Sequence, residues 1–114
     1  MEMVIKLSSH RYKINPDAIL SAYGETANPV NLDKVEEYAR RLEFSDPPPI
    51  KGYPKYVDVS DIGKVLMNGK KITEEYLGAL VWYVTDGHHR SLAAIWVGEE
   101  LTGEIDERYT WAKS

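Results

Sequence analysis

The chain has 114 residues, 43% of them hydrophobic, with a net charge of −4 and no cysteine. That length and apolar content suit a single packed domain over residues 1–114, so a packed globule is expected rather than a disordered chain. The missing thiol excludes disulfides, thiolate metal sites and a cysteine nucleophile. Acidic balance disfavours contact with a phosphate backbone, so duplex DNA binding by the isolated chain is not expected near physiological salt. No run approaches the roughly 20 apolar residues of a membrane span, and Met1 to Tyr12 lacks a signal-peptide pattern. A cytoplasmic protein without membrane association is the expectation.

Taken in order, Met3 to Leu7 is a short apolar run that reads as a strand, and Ser8 to Lys13 is polar and partly alternating. Asn15-Pro16 marks a break, because the residue before proline is pushed out of the helical region. Ala18 to Tyr23 reads as one or two helical turns stopped by Gly24, followed by a polar loop from Glu25 to Pro29. Asn31 is placed as the N-cap of a helix running to about Leu42. Leu32, Val35, Tyr38 or Ala39, and Leu42 form its apolar face, with Glu36–Arg40 and Glu37–Arg41 pairs on the other.

Asp46-Pro47-Pro48-Pro49-Ile50 cannot be helical, and Lys51 to Pro54 prolongs an irregular stretch. Tyr56 to Val59 alternates as a strand. Asn68-Gly69 between apolar runs predicts a hairpin over Val65 to Ile72. A helical turn from Thr73 ends near Gly78. The stretch Leu80 to Val84, apolar and rich in β-branched and aromatic residues, predicts a buried strand. Thr85-Asp86-Gly87 punctuates it, and a helix pattern then runs to Gly98, a C-terminal left-handed residue. The tail leaves two readings open for Ile105, Tyr109 and Trp111, a last strand or a helix covering an edge. The whole predicts an α+β domain with a small mixed sheet and flanking helices.

A strand, a glycine turn and a helix in that order place Gly87, His88, His89, Arg90 and Ser91 at a helix N-terminus. That end carries about half a positive charge and N–H groups without helical partners, so it suits an anion. These five residues are the expected nucleotide- or phosphate-binding site. Arg90 as a plain surface residue would oppose the dipole, whereas a phosphate would relieve that penalty. His89 is the preferred phosphate donor and the candidate catalytic acid or base. His88 and His89 diverge by about 100° on a helix and cannot chelate together. One of them with Asp86 or His10 is the alternative, and no metal site is predicted. Asp86 reads as a turn former, and Ser91 as either a helix cap or a phosphate donor.

Other residues stay open. His10, Arg11, Lys13 and Lys51 could approach this turn from other elements. Trp82, Tyr83 and Trp96 read as core, while Tyr53 and Tyr56 suit stacking on a base. Glu36, Glu37 or Asp58 could supply a carboxylate base.

The run Asp86-Gly87-His88-His89-Arg90-Ser91-Leu92-Ala93-Ala94 resembles the ParB/sulfiredoxin superfamily, whose members carry a strand, a Gly-x-x-Arg turn and an alanine-rich helix. The helix Leu32 to Leu42 followed by Pro48-Pro49-Ile50 is similar to a second family segment. Gly87 and Arg90 match the family's Gly and Arg, and His89 matches the His of the sulfiredoxin turn. His88 stands where sulfiredoxins have their cysteine, so sulfinic acid reduction is excluded. Partition proteins carry Glu-Arg-Arg where this chain has His-His-Arg, and a helix-turn-helix domain after this helix is not expected.

The resemblance implies a compact, stand-alone ParB-like domain that binds a nucleoside triphosphate or another phosphate-bearing small molecule at this turn. The alternative is a phosphotransferase or a phosphodiesterase of nuclease type using the same turn with Mg²⁺. A homodimer or a protein partner fits either expectation.

Overall fold

The apolar run that dominates the sequence is the fifth strand of a mixed sheet. The computed structural model describes residues 4–21, 32–44 and 49–110. In chain order the elements are β1 (Val4–Lys6), β2 (Arg11–Ile14), a 3-10 turn (Pro16–Ala18), β3 (Ile19–Ser21), α1 (Leu32–Phe44), β4 (Ile50–Tyr56), β5 (Leu80–Asp86), α2 (His88–Val97), β6 (Leu101–Ile105) and α3 (Glu107–Thr110). The sheet order is β1-β2-β6-β4-β5-β3. The β6–β4 and β5–β3 pairs are parallel, the others antiparallel. This is an α+β fold, as the sequence predicts.

Two layers cover the sheet. On one face, Ile14, Ile19, Ile50, Trp82, Val84 and Leu101 pack under Ala94 of α2. On the other, Leu20 and Val81 pack under Val57, Leu66 and Ile72 from the β4–β5 connection. Val35 and Ala39 of α1 then meet Ala93 of α2. The small residues Ala93 and Ala94 let α2 approach both neighbours closely. The Glu36–Arg40 pair forms, at 2.6 Å, on the outer face of α1.

Trp82 sets the shape of the core. Its indole lies across β4 and β6, and a Cβ on Gly52 would sit 2.6 Å from Nε1 and collide with the carbonyl oxygen of Tyr83. A Cβ on Gly103 would meet the same ring at 2.8 Å and collide with Ile14 Cδ1. Both glycines are therefore required by close approach. Tyr12 packs on the indole with ring centroids 5.5 Å apart.

Several expectations are corrected. Ile19–Ser21 is a strand, not a helical turn, because pairing with β5 decides the conformation of a segment too short to carry a period. Lys51 to Pro54, expected to be irregular, is the middle of β4. Pro54 is tolerated because the ladder to β6 ends at Gly52. Tyr56 to Val59 is not a strand of its own: Tyr56 is the last residue of β4, and the chain then leaves the sheet for a 3-10 turn, Val59–Asp61, capped by Asp58. The Asn68-Gly69 reversal is present as a Val65–Lys71 bridge around a longer loop, closed by Leu66 N–H to the Lys70 carbonyl at 2.8 Å.

The tail places Ile105 in β6, which runs between β2 and β4 rather than covering an edge. Trp96, read as core, is 63% exposed, and Leu32 is exposed as well. Gly24, the loop Glu25 to Pro29, the cap Asn31, Asp46 to Pro48, Trp111 and the side chains of Arg41, Leu42 and Tyr109 lie outside the described residues. No helix among the described residues is long and apolar enough to cross a membrane.

Candidate functional site

The β5–α2 junction is built by one backbone conformation. Gly87 has φ 101° and ψ 31°, a left-handed geometry that most side chains avoid. A Cβ there would also press on Ile50 Cγ2 at 2.7 Å and Arg90 Nη2 at 3.2 Å. The helix begins directly afterwards, with Ser91 N–H donating to the Gly87 carbonyl at 2.9 Å. No side chain caps this N-terminus and no acidic residue occupies its first turn. His88, His89 and Arg90 stand there instead, so basic side chains meet the positive end of the helix.

The expected site residues divide into two groups. His88 and His89 are half-buried at the turn. His88 Nε2 lies 3.1 Å from Ser21 Oγ, at the end of β3. Burial pushes the His88 pKa below the ordinary imidazole value; Asp86 opposes that shift and His89 adds to it. Near neutral pH the ring is therefore uncharged. Arg90 and Ser91 are turned inward. The Arg90 side chain is 15% exposed, with Nη2 3.8 Å from Asp86 Oδ2 and Nη1 donating to the Pro49 carbonyl at 2.9 Å. Ser91 is fully buried, and its hydroxyl donates to the Gly87 carbonyl at 2.9 Å. It is neither an N-cap nor directed at an external phosphate, because it lies one turn into the helix on the packed side.

The other basic residues do not converge on the turn. Lys51 is Cα partner to Asp86 across the ladder, but its Nζ reaches Glu104 Oε2 at 3.2 Å. Arg11 Nη2 meets Glu104 at 3.6 Å, and Lys13 pairs with Glu100 at 3.4 Å. His10 belongs to the β1–β2 connection, where its carbonyl accepts from Ile105 N–H. Of the carboxylates considered as bases, Glu36 is engaged by Arg40 and Asp58 caps the Val59–Asp61 turn. Asp86, 69% exposed, is a carboxylate that the fold places beside Arg90 at this junction. Among the described residues, no group of three or more His, Asp or Glu side chains is arranged to hold a metal ion.

Two polar clusters lie near the same strands. Asp61, 1% exposed, accepts from Lys55 Nζ at 2.8 Å, Lys64 Nζ at 2.9 Å and Asp58 N–H at 3.0 Å. Lys64 also donates to Tyr83 Oη at 2.9 Å. Tyr83 stacks on Tyr53 at 5.4 Å, so one face of the Tyr53 ring is already covered by another ring. Tyr56 is exposed at the end of β4.

The second cluster joins β5 to the end of β6. Thr85 Oγ1 donates to Asp106 Oδ2 at 2.6 Å, and Arg108 Nη2 approaches the same oxygen at 2.7 Å. This network fixes the last residues of β5 and thereby the direction in which the turn leaves the sheet.

Ser21 and Pro49 were not singled out by sequence. Both contacts span long separations, 67 residues for Ser21–His88 and 41 for Pro49–Arg90, and only the pairing of β3 and β4 with β5 creates them. Comparison with protein-family models, with curated proteins and with solved structures gives no match.

Proposed function

We propose that this chain binds a phosphate-bearing ligand, a nucleotide or its phosphate groups, at the β5–α2 junction. The observation that carries this reading is the left-handed Gly87 opening a helix whose first turn is His88-His89-Arg90, with no acidic residue and no side-chain cap. The left-handed glycine turns the chain from β5 straight into α2, and the helix end so presented attracts negative charge. Resemblance of the same residues to the ParB/sulfiredoxin turn supports the choice of nucleotide. Pro49 holds one arm of the Arg90 guanidinium, and the other faces Asp86 across 3.8 Å. At that distance the ion pair is loose, and a phosphate oxygen competes with Asp86 for Nη2.

A favourable charge at the helix end is worth about 0.3–1 kcal/mol, and each charge-assisted hydrogen bond about 1.5–3 kcal/mol. Two or three such contacts, less the cost of immobilising the ligand, correspond to a Kd between about 1 mM and 1 μM. Calorimetric titration of ATP, ADP, CTP, GTP and inorganic phosphate, with and without Mg²⁺, tests this. Saturable binding in that range is expected, weakened by salt and by Arg90→Lys, which keeps the charge but loses the planar fork. No binding up to several millimolar, or equal binding by Arg90→Lys, would remove the site.

A further inference from the structure

The junction holds one pairing that ligand binding does not require. Ser21 ends β3, where it is the Cα partner of Val84 in β5. The two strands are parallel, so both run toward the N-terminus of α2. There Ser21 Oγ and His88 Nε2 stand 3.1 Å apart, within the range found between a nucleophilic hydroxyl and its base. Both side chains are only half-buried, so the pair is reachable from solvent.

We propose that Ser21 is a nucleophile toward the phosphoryl group of a ligand at this junction, with His88 as its general base. The proposal rests on the phosphate-binding reading for its choice of electrophile. With the ring proton on Nδ1, Nε2 accepts the Ser21 hydrogen. Ser21 Oγ forms a bond to phosphorus, and the bond from phosphorus to the leaving oxygen breaks with its electron pair on that oxygen. The proton moves from Oγ to Nε2, and His88 then returns it to the leaving group. A phosphate ester or anhydride thus yields phosphorylated Ser21 and the free alcohol or phosphate, with no other reactant.

Three features favour His88 in this role over His89, the residue sequence reasoning preferred. The hydroxyl partner belongs to His88. Its burial keeps the ring neutral, the state a base needs. Asp86 stands on the preceding strand end, where its charge favours the imidazolium formed when the proton arrives. His89 acts in the opposite sense on the same ring.

The test is labelling of the full chain by a fluorophosphonate, in which Ser21 Oγ would displace fluoride from phosphorus. Peptide mapping by mass spectrometry should place the label on Ser21, and Ser21→Ala should not carry it. His88→Gln keeps a polar side chain but has no base, so labelling should slow by about 100-fold or more. The wild-type rate should fall in acid, with a midpoint below the ordinary imidazole value of about 6.5. A purely structural hydrogen bond would give no such profile.

Absence of label from Ser21, label confined to another residue, or equal rates for wild type and His88→Gln would overturn the proposal. Should Ser21→Ala fail to fold, the mapped position in wild type and the His88→Gln rate decide. Nucleotide binding without labelling removes the nucleophile and leaves the binding reading standing. Labelling of Ser21 without any nucleotide binding keeps the dyad and removes the phosphate reading.

Discussion

Replacing Asp61 by asparagine should loosen the segment that covers the outer face of the sheet. The carboxylate joins Lys55 of β4, Lys64 of the connection and the backbone of Asp58, and Lys64 extends the link to Tyr83 of β5. Asparagine keeps the shape but loses the charge, and its amide group presents donors to donors. Each charged hydrogen bond is worth about 1.5–3 kcal/mol. Both lysines are partly exposed and regain hydration, so the loss should be near that of one bond, about 2–3 kcal/mol, rather than the sum. For a domain stable by about 5–15 kcal/mol that is a large fraction.

The pH dependence follows from the same contacts. Burial opposes ionisation of Asp61, but the bonds from Asp58, Lys55 and Lys64 outweigh it and hold the carboxyl well below the usual range. A carboxyl depressed in the folded state stabilises fully above its unfolded value of about 3.9 and loses that contribution as pH falls toward its folded value. The gap between wild type and Asp61→Asn should therefore narrow from about pH 7 to about pH 3. Asp106 is likewise depressed by Arg108 and Thr85 against its burial, so acid sensitivity should shrink in the variant without vanishing. Urea unfolding followed by tryptophan fluorescence at both pH values measures this. A variant within about 0.5 kcal/mol of wild type at pH 7, or a gap unchanged by acid, would refute the argument.

Gly103→Ala should destabilise by about 1–3 kcal/mol, because the new methyl collides with Ile14 and lies 2.8 Å from the Trp82 ring; an unchanged urea midpoint would show that the indole can move aside. Arg90→Ala should also lower stability, by about 1.5–3 kcal/mol, through loss of the bond to the Pro49 carbonyl. Urea unfolding without ligand reads this effect separately from binding, and a wild-type midpoint would mean that the Pro49 contact contributes nothing.

How legible the fold was depended on whether a segment carried its own signal. Strand β5, α1 and the β5–α2 turn are long or sharply punctuated, and their physics is local: apolar run, amphipathic period, left-handed glycine. Strand β4 was hidden by Gly52 and Pro54, two residues that ordinarily argue against a strand. Both are there for tertiary reasons, since Trp82 occupies the space over Gly52 and β6 stops pairing before Pro54. Strand β3 is three residues long, and β6 contains Gly103 for the same indole. Trp96 misled in the other direction, because hydrophobicity alone placed it inside while the rotation of α2 turns it out.

The site was legible only in its local half. Gly87 and the basic first turn of α2 follow from adjacent residues, but what each side chain does there follows from register. Ser91 falls on the packed side of the helix, Arg90 reaches the carbonyl before β4, and His88 meets the end of β3. The last of these depends on the register of β3 against β5. Ser21 lies opposite Val84, and Leu20 opposite Tyr83. A slip of one residue would exchange the faces of β3, removing Ser21 from the α2 side and putting Leu20 there. The pairing is held because Ile19 is fully buried among Trp82, Val84 and Ala94, while Leu20 fills the opposite core beside Val81. Two apolar residues with no chemistry of their own thus determine that a hydroxyl, and not a leucine, faces His88.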